Sequence, residues 1–163
     1  MAVRNCAEIG ENLQRIVNRL LSNDNLINLL YYSDKDPLSH ESLTEEQKNK
    51  EVFGKLIKMV PRIGPKETAQ SAISIRVTDA TTSEDNPEFK NVFIQIEVFV
   101  PMTQWVIKNS NLRPFAILGE IQKSLDKKLI NGLGKMTGGD FSINFLTEEI
   151  ACYEQNFVIT SYA

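Results

Sequence analysis

From Val92 to Val100 the chain alternates without a break. Val92, Ile94, Ile96, Val98 and Val100 hold one face, and Phe93, Gln95, Glu97 and Phe99 hold the other. Successive side chains of a strand point to opposite faces, so this run has one dry side and needs a sheet and a covering layer around it. Ile73, Ile75 and Val77, alternating with Ser74 and Arg76, predict the strand beside it. The polar, acidic stretch 79–89 (DATTSEDNPEF) joins the two, which predicts a hairpin with a long mobile tip. Pro101 has no N–H to give to a ladder, so it closes the long strand or marks an edge or bulge.

The covering layer is also legible. Ile9, Leu13, Ile16, Val17, Leu20 and Leu21 recur at steps of three and four, an amphipathic helix. Ser22–Asn25 ends it and caps a second short apolar turn, Leu26–Leu30. Pro114 suits a helical first turn, and Phe115, Ile117, Leu118, Ile121, Leu125 and Leu129 form the next stripe, stopped by Asn131-Gly132. Thr44-Glu45-Glu46-Gln47 is a capping box with Leu43 as its staple, opening a short polar helix that ends near Phe53-Gly54. Residues 33–54 therefore read as a surface excursion. Leu56–Val60 is a candidate strand closed by Pro61–Pro65, and two further strands, Phe141–Leu146 and Tyr153–Ser161, close the chain. On the last, Tyr153, Gln155, Phe157, Ile159 and Ser161 share a face.

The economical architecture is α+β: an antiparallel or mixed sheet with an extended hairpin, and two main amphipathic helices packed on one face. The core should join Leu13, Ile16, Val17 and Leu20 to Ile117, Leu118, Ile121 and Leu125, over Ile94, Ile96 and Val98. A length of 163 residues with 42% hydrophobic and 24% charged side chains fits one domain spanning residues 1–163. There is no internal repeat or low-complexity linker. No apolar run is long enough for a signal peptide or a membrane span, which predicts a protein made and used in water. Eighteen basic against 21 acidic residues, a formal charge of −3, argue against a grip on nucleic-acid phosphates.

Candidate chemistry is thin. His40 is the one histidine, and Cys6 and Cys152 lie at opposite ends of the chain, so a zinc site lacks ligands and two buried thiols are expected. Gly132–Gly139 evokes a phosphate loop, but Met136 separates Lys135 from Thr137, and a helix precedes the loop where a strand should. A flexible helix-to-strand connection is the better account. Glu148 and Glu149 are adjacent and would point to opposite faces, so they do not form an acid–base pair. No catalytic, metal or cofactor site emerges. The candidates that remain are surfaces: the tip residues Thr81, Thr82, Ser83, Glu84, Asp85 and Asn86, and Trp105, suited equally to a core anchor and an interface hot spot.

Leu29-Leu30-Tyr31-Tyr32, Asp34–Leu38, Ile96–Pro101, Leu112–Phe115 and the late segment 140–163 are similar to neck proteins of phages infecting low-GC Gram-positive bacteria. The element order resembles the tail terminator (tail-completion, neck) family of tailed bacteriophages, to which the lambda tail terminator belongs. The insertion at 33–54 and the acidic tip at 79–89 depart from that family's minimal pattern. The resemblance implies a virion protein, assembled in the host cytoplasm, that forms a ring, usually hexameric, at the head-proximal end of the tail tube. Its implied partners are the tail tube protein, the head–tail connector or other neck proteins, and the sheath where the tail is contractile. DNA would pass through the lumen without specific binding, and an acidic lumen would not retain it. Two other readings fit the same residues: a different neck or head-completion adaptor between portal and tail, and a small cytosolic α+β enzyme or ligand-binding domain.

Overall fold

A computed structural model describes residues 6–60, 70–130 and 134–160. The first helix, α1 (Ile9–Leu21), buries Ile16, Val17 and Leu20 completely, with Ile9, Leu13 and Leu21 packed at the rim. Asn23 then caps α2 (Asp24–Tyr31), its Oδ1 accepting the Leu26 N–H at 3.0 Å. The same side chain reaches α4 (Arg113–Leu125) through Ser124 Oγ at 2.8 Å, so one residue caps a helix and ties two together. The helix α4 lies on the sheet, and α1 and α2 pack against α4.

The sheet has six strands in the order β1 (Ile57–Lys58), β2 (Ala72–Thr82), β3 (Lys90–Pro101), β8 (Ile150–Thr160), β7 (Gly134–Leu146), β6 (Lys128–Ile130). All neighbours are antiparallel except β1 and β2, so the sheet is mixed. A small second sheet pairs β4 (Val106–Ile107) with β5 (Asn111–Leu112). Every predicted core residue joins one cluster, with Leu13 only partly buried. The fold is the expected α+β arrangement, with its helices on one face.

Several local expectations change. The excursion 33–54 is not all surface: Pro37, Leu43, Lys48 and Val52 are buried. The Thr44 capping box is present, but its helix α3 (Glu45–Gln47) runs into a wider π turn at Lys48–Val52, which turns Val52 into the core. The predicted strand 56–60 shrinks to β1, because Gly54 N–H already bonds Ile57 O at 2.9 Å in a tight turn. The Pro61–Pro65 stretch, Asn131-Gly132 and Ser161 lie outside the described residues.

Helix α4 stops at Leu125, and Lys127, with φ 58°, makes the left-handed step expected further on. Leu129 is thus in β6 and three-quarters exposed, not on the helical stripe. The glycine-rich segment from Gly134 onward is strand β7, not a flexible connection, and its bulge between Gly138 and Asp140 explains the glycines. Gly138 has φ 139°, and a Cβ there would stand 2.3 Å from Asn156 O. Cys152 is buried but Cys6 is exposed, against the expectation of two buried thiols.

Most of the face of β3 opposite the helices is also covered, with Phe93 left 37% exposed. Phe99 packs with Ala72, Ile150 and Cys152, while Glu97, 1% exposed, pairs with Arg76 Nη2 at 2.8 Å. The alternation was real, but a polar network and a second apolar cluster cover its polar side.

Replacing Ile121, fully buried between sheet and helices, by alanine should cost about 2–5 kcal/mol through lost burial and the cavity left. Urea denaturation should show a lowered midpoint with an unchanged slope.

Candidate partner interface

Arg113 opens α4 and is completely buried. A cation at a helix N-terminus faces the positive end of its own helix, an unfavourable place. Its guanidinium instead serves other elements. Nη1 donates to Leu29 O at 2.5 Å and Tyr32 O at 2.8 Å, Nη2 to Asp34 O at 2.5 Å, and Nε to Gln104 O at 2.8 Å. Leu29 and Tyr32 end α2, so the charge lies at the negative end of that helix and satisfies carbonyls that the helix leaves without partners. Burial lowers the pKa of Arg113, and the Asp34 carboxylate partly offsets this.

The loop after α2 is fixed around this point. Asp34 Oδ1 accepts the Asp36 N–H at 2.8 Å and Oδ2 meets His40 Nε2 at 2.6 Å, while the His40 ring stacks on Tyr32 at 3.9 Å. The Asp36 N–H is the chief reason the Asp34 carboxyl titrates below its usual range, with His40 and Arg113 adding to it against the effect of burial. His40 is thus a packing element of this loop. Further along, buried Lys48 reaches Asp24 at 2.8 Å and Glu45 at 3.3 Å. Burial pulls the Lys48 pKa down, but these carboxylates outweigh it and the net shift is upward. The hydrogen bond from Lys48 holds Asp24 below its usual range.

The turn at the predicted tip is shorter than expected. Thr81 and Thr82 belong to β2 and pair with Asn91 and Lys90. Ser83 is 3% exposed and donates its N–H to Phe89 O at 2.9 Å. Asn86 O accepts the Phe89 N–H and Asn86 Oδ1 the Glu88 N–H, so the turn is closed by its own polar groups over buried Phe89. Glu84 and Asp85 remain exposed and Asn86 half-buried. The register shift at Thr78 lets the ladder run on past the point where the polar sequence suggested a loop.

Trp105 follows the end of β3 opposite the tip, and its ring lies beside Tyr153, in register with Val98. The structure therefore does not unite the two candidates. It places half-buried Trp105 beside Tyr153, ring centroids 6.3 Å apart, and Tyr153 beside Phe115 at 5.4 Å and Phe141 at 6.0 Å. Phe115 and Phe141, 5.8 Å apart, are 40% and 50% exposed. This aromatic patch continues along β7 to Ile143 and Leu146, 52% and 61% exposed. Beside it, Phe115, Leu118, Gly119, Phe141 and Gln155 line a groove of about 500 Å³ between α4 and β7. Gln155 Nε2 donates to Gly139 O at 2.9 Å, whereas its buried Oε1 has no partner among the described residues. Phe115 had been assigned to the core stripe and Phe141 and Ile143 to an ordinary closing strand. Nothing in their spacing signals that α4 stops short of covering them.

Among the described residues, no three His, Cys, Asp or Glu side chains form a metal-binding group. No helix there is long and apolar enough to cross a membrane. The YomW family model matches residues 23–154, most of the chain. The chain belongs to the YomW family. Membership marks it as a phage-related protein and does not distinguish a tail terminator from other phage components. Its matched region runs from the Asn23 cap to the middle of β8 and so includes Arg113 and all four carbonyls it holds. A comparison with curated proteins returns no match.

Replacing Arg113 by Met removes the guanidinium's hydrogen bonds to four carbonyls and should lower stability by about 3 kcal/mol in urea titration. Arg113→Lys should recover only part of this, because an ammonium cannot span the same fork of acceptors. Asp24 and Asp34 have pKa values below 3.8 in the folded protein, so the stability they supply is complete above that value and is lost as pH falls through their folded pKa values. Melting temperature should fall in that acid window, and Asp24→Asn should make the fall shallower.

Proposed function

We propose that this YomW-family protein is a structural phage protein that assembles into a ring, hexameric as the resemblance to tail terminators implies, at the head-proximal end of the tail tube. There it would end tube polymerisation and offer a surface to the head connector. The observation that carries this reading is the aromatic and aliphatic surface along β7, where Phe115, Phe141, Ile143 and Leu146 stand exposed. A chain of this size gains from covering such a surface, and partner subunits are the usual means. Family membership supports a place among phage proteins, and the resemblance supplies the tail. The tail tube protein and a neck or connector protein would be the partners, with a sheath protein where the tail contracts. A net charge of −3 suits a lumen through which DNA passes unheld.

Negative-stain images of the purified protein, together with tail-tube lengths grown with and without it, test the proposal. Rings with a central hole and tubes of fixed length are expected. Rings that bind the connector yet leave tube length unregulated would assign the protein to the neck adaptors. A monomer at all concentrations that also leaves tubes unregulated would overturn both assignments.

A further inference from the structure

Strand β7 is covered on its outer side by β6 only at Gly134–Met136. From Asp140 to Leu146 it has β8 on its inner side and no strand on its outer side among the described residues. Edge strands are normally guarded by charges, prolines or shortness. Here Phe141–Leu146 contains no charged residue, and Phe141, Ile143 and Leu146 are exposed. Acidic groups flank this edge instead: exposed Asp140 at one end, and exposed Glu148 and Glu149 in the turn at the other.

The other end of the sheet carries the opposite set. After β1, Met59 and Val60 are 38% and 44% exposed, and Val60 O is anchored by Ser74 Oγ. Exposed Lys55 and half-buried Lys58 precede them. An apolar pair preceded by two basic residues thus stands at one end of the sheet, and an apolar edge between acidic residues at the other.

We propose that the β7 edge of one copy receives the Lys55–Val60 segment of the next copy, in a head-to-tail contact. Met59 and Val60 cover Phe141, Ile143 and Leu146, while Lys55 and Lys58 approach Asp140, Glu148 and Glu149. Charge selects this arrangement over the symmetric one. Two β7 edges facing each other would set the same three carboxylates against one another, and like charges across a strand pair are destabilising. A contact between two different surfaces of the same chain propagates, and closes into a ring when the rotation allows. The inference rests on the ring reading above and specifies which surfaces make the ring.

Val60→Cys combined with Ile143→Cys, in a Cys6→Ser background, tests it by mild oxidation and a non-reducing gel. A ladder of covalent oligomers is expected from the double variant, and no linkage from either single variant. A dimer from Ile143→Cys alone would show symmetric edge pairing and overturn the proposal. Lys58→Glu should abolish the ring peak in size-exclusion chromatography, and adding Glu149→Lys should restore it, with thermal melts reporting that both variants fold. Wild-type rings, with no ladder from the double variant and a ring peak unchanged by both charge reversals, would overturn this contact while leaving the ring standing. A wild type that forms no ring, with no ladder from the double variant, would overturn both.

Discussion

The Arg113 guanidinium joins four carbonyls from three stretches of chain: the end of α2, the loop at Asp34, and Gln104 after β3. Two of these bonds, to Leu29 O and Gln104 O, are buried, and buried acceptors cost more unpaired than they return when paired. With the guanidinium in place, α2 ends where it does, α4 begins beside it, and the excursion after α2 leaves the core in a fixed direction. A neutral side chain could pack in the same volume, but it could not bond backbone groups in a fork. The sequence strings around Leu29–Tyr32, Asp34–Leu38 and Leu112–Phe115, which carried the phage resemblance, are the strings that this one side chain brings together.

Around that centre, charge is used to dock pieces that apolar contacts alone would leave loose. Lys48 folds the capping-box helix back on the start of α2 through Asp24, and Asn23 ties the same helix to Ser124 of α4. On the far side of the sheet, Arg76 pairs with buried Glu97 and covers part of a face that would otherwise be open. These contacts hold the helical layer over β3 and β8 and leave β7 partly uncovered. The uncovered aromatic surface is therefore a consequence of where α4 is held, and the position of α4 follows from the anchoring of its first residue.

The strongest sequence signals were those of period. The alternation of β2, β3 and β8 and the helical stripe of α1 set the core correctly, as did that of α4 apart from Phe115 and Leu129, because burial of a periodic face is a local pattern. Turn chemistry was less reliable. The tip looked like a long loop because its residues are polar, yet the ladder runs on to Thr82 and Lys90, and Asn86 and Ser83 use their polar groups to close the turn over Phe89. The glycines of β7 looked like a loop because a bulge and a flexible connection ask for the same residue. The left-handed position was expected at Asn131-Gly132, whereas Lys127 already takes it.

The sequence by itself determined the α+β class, its periodic core and the N-terminal caps at Asn23 and Thr44, since each depends on spacing along the chain. Only the tertiary structure decided that Arg113 is buried, that Gln95, Glu97 and Phe99 are covered on the second face of β3, and that Trp105, Tyr153, Phe115 and Phe141 form one surface. These depend on which distant segments meet. A guanidinium reads as a surface charge until four carbonyls from elsewhere surround it, and an aromatic on a helical stripe reads as core until the neighbouring element stops short of it.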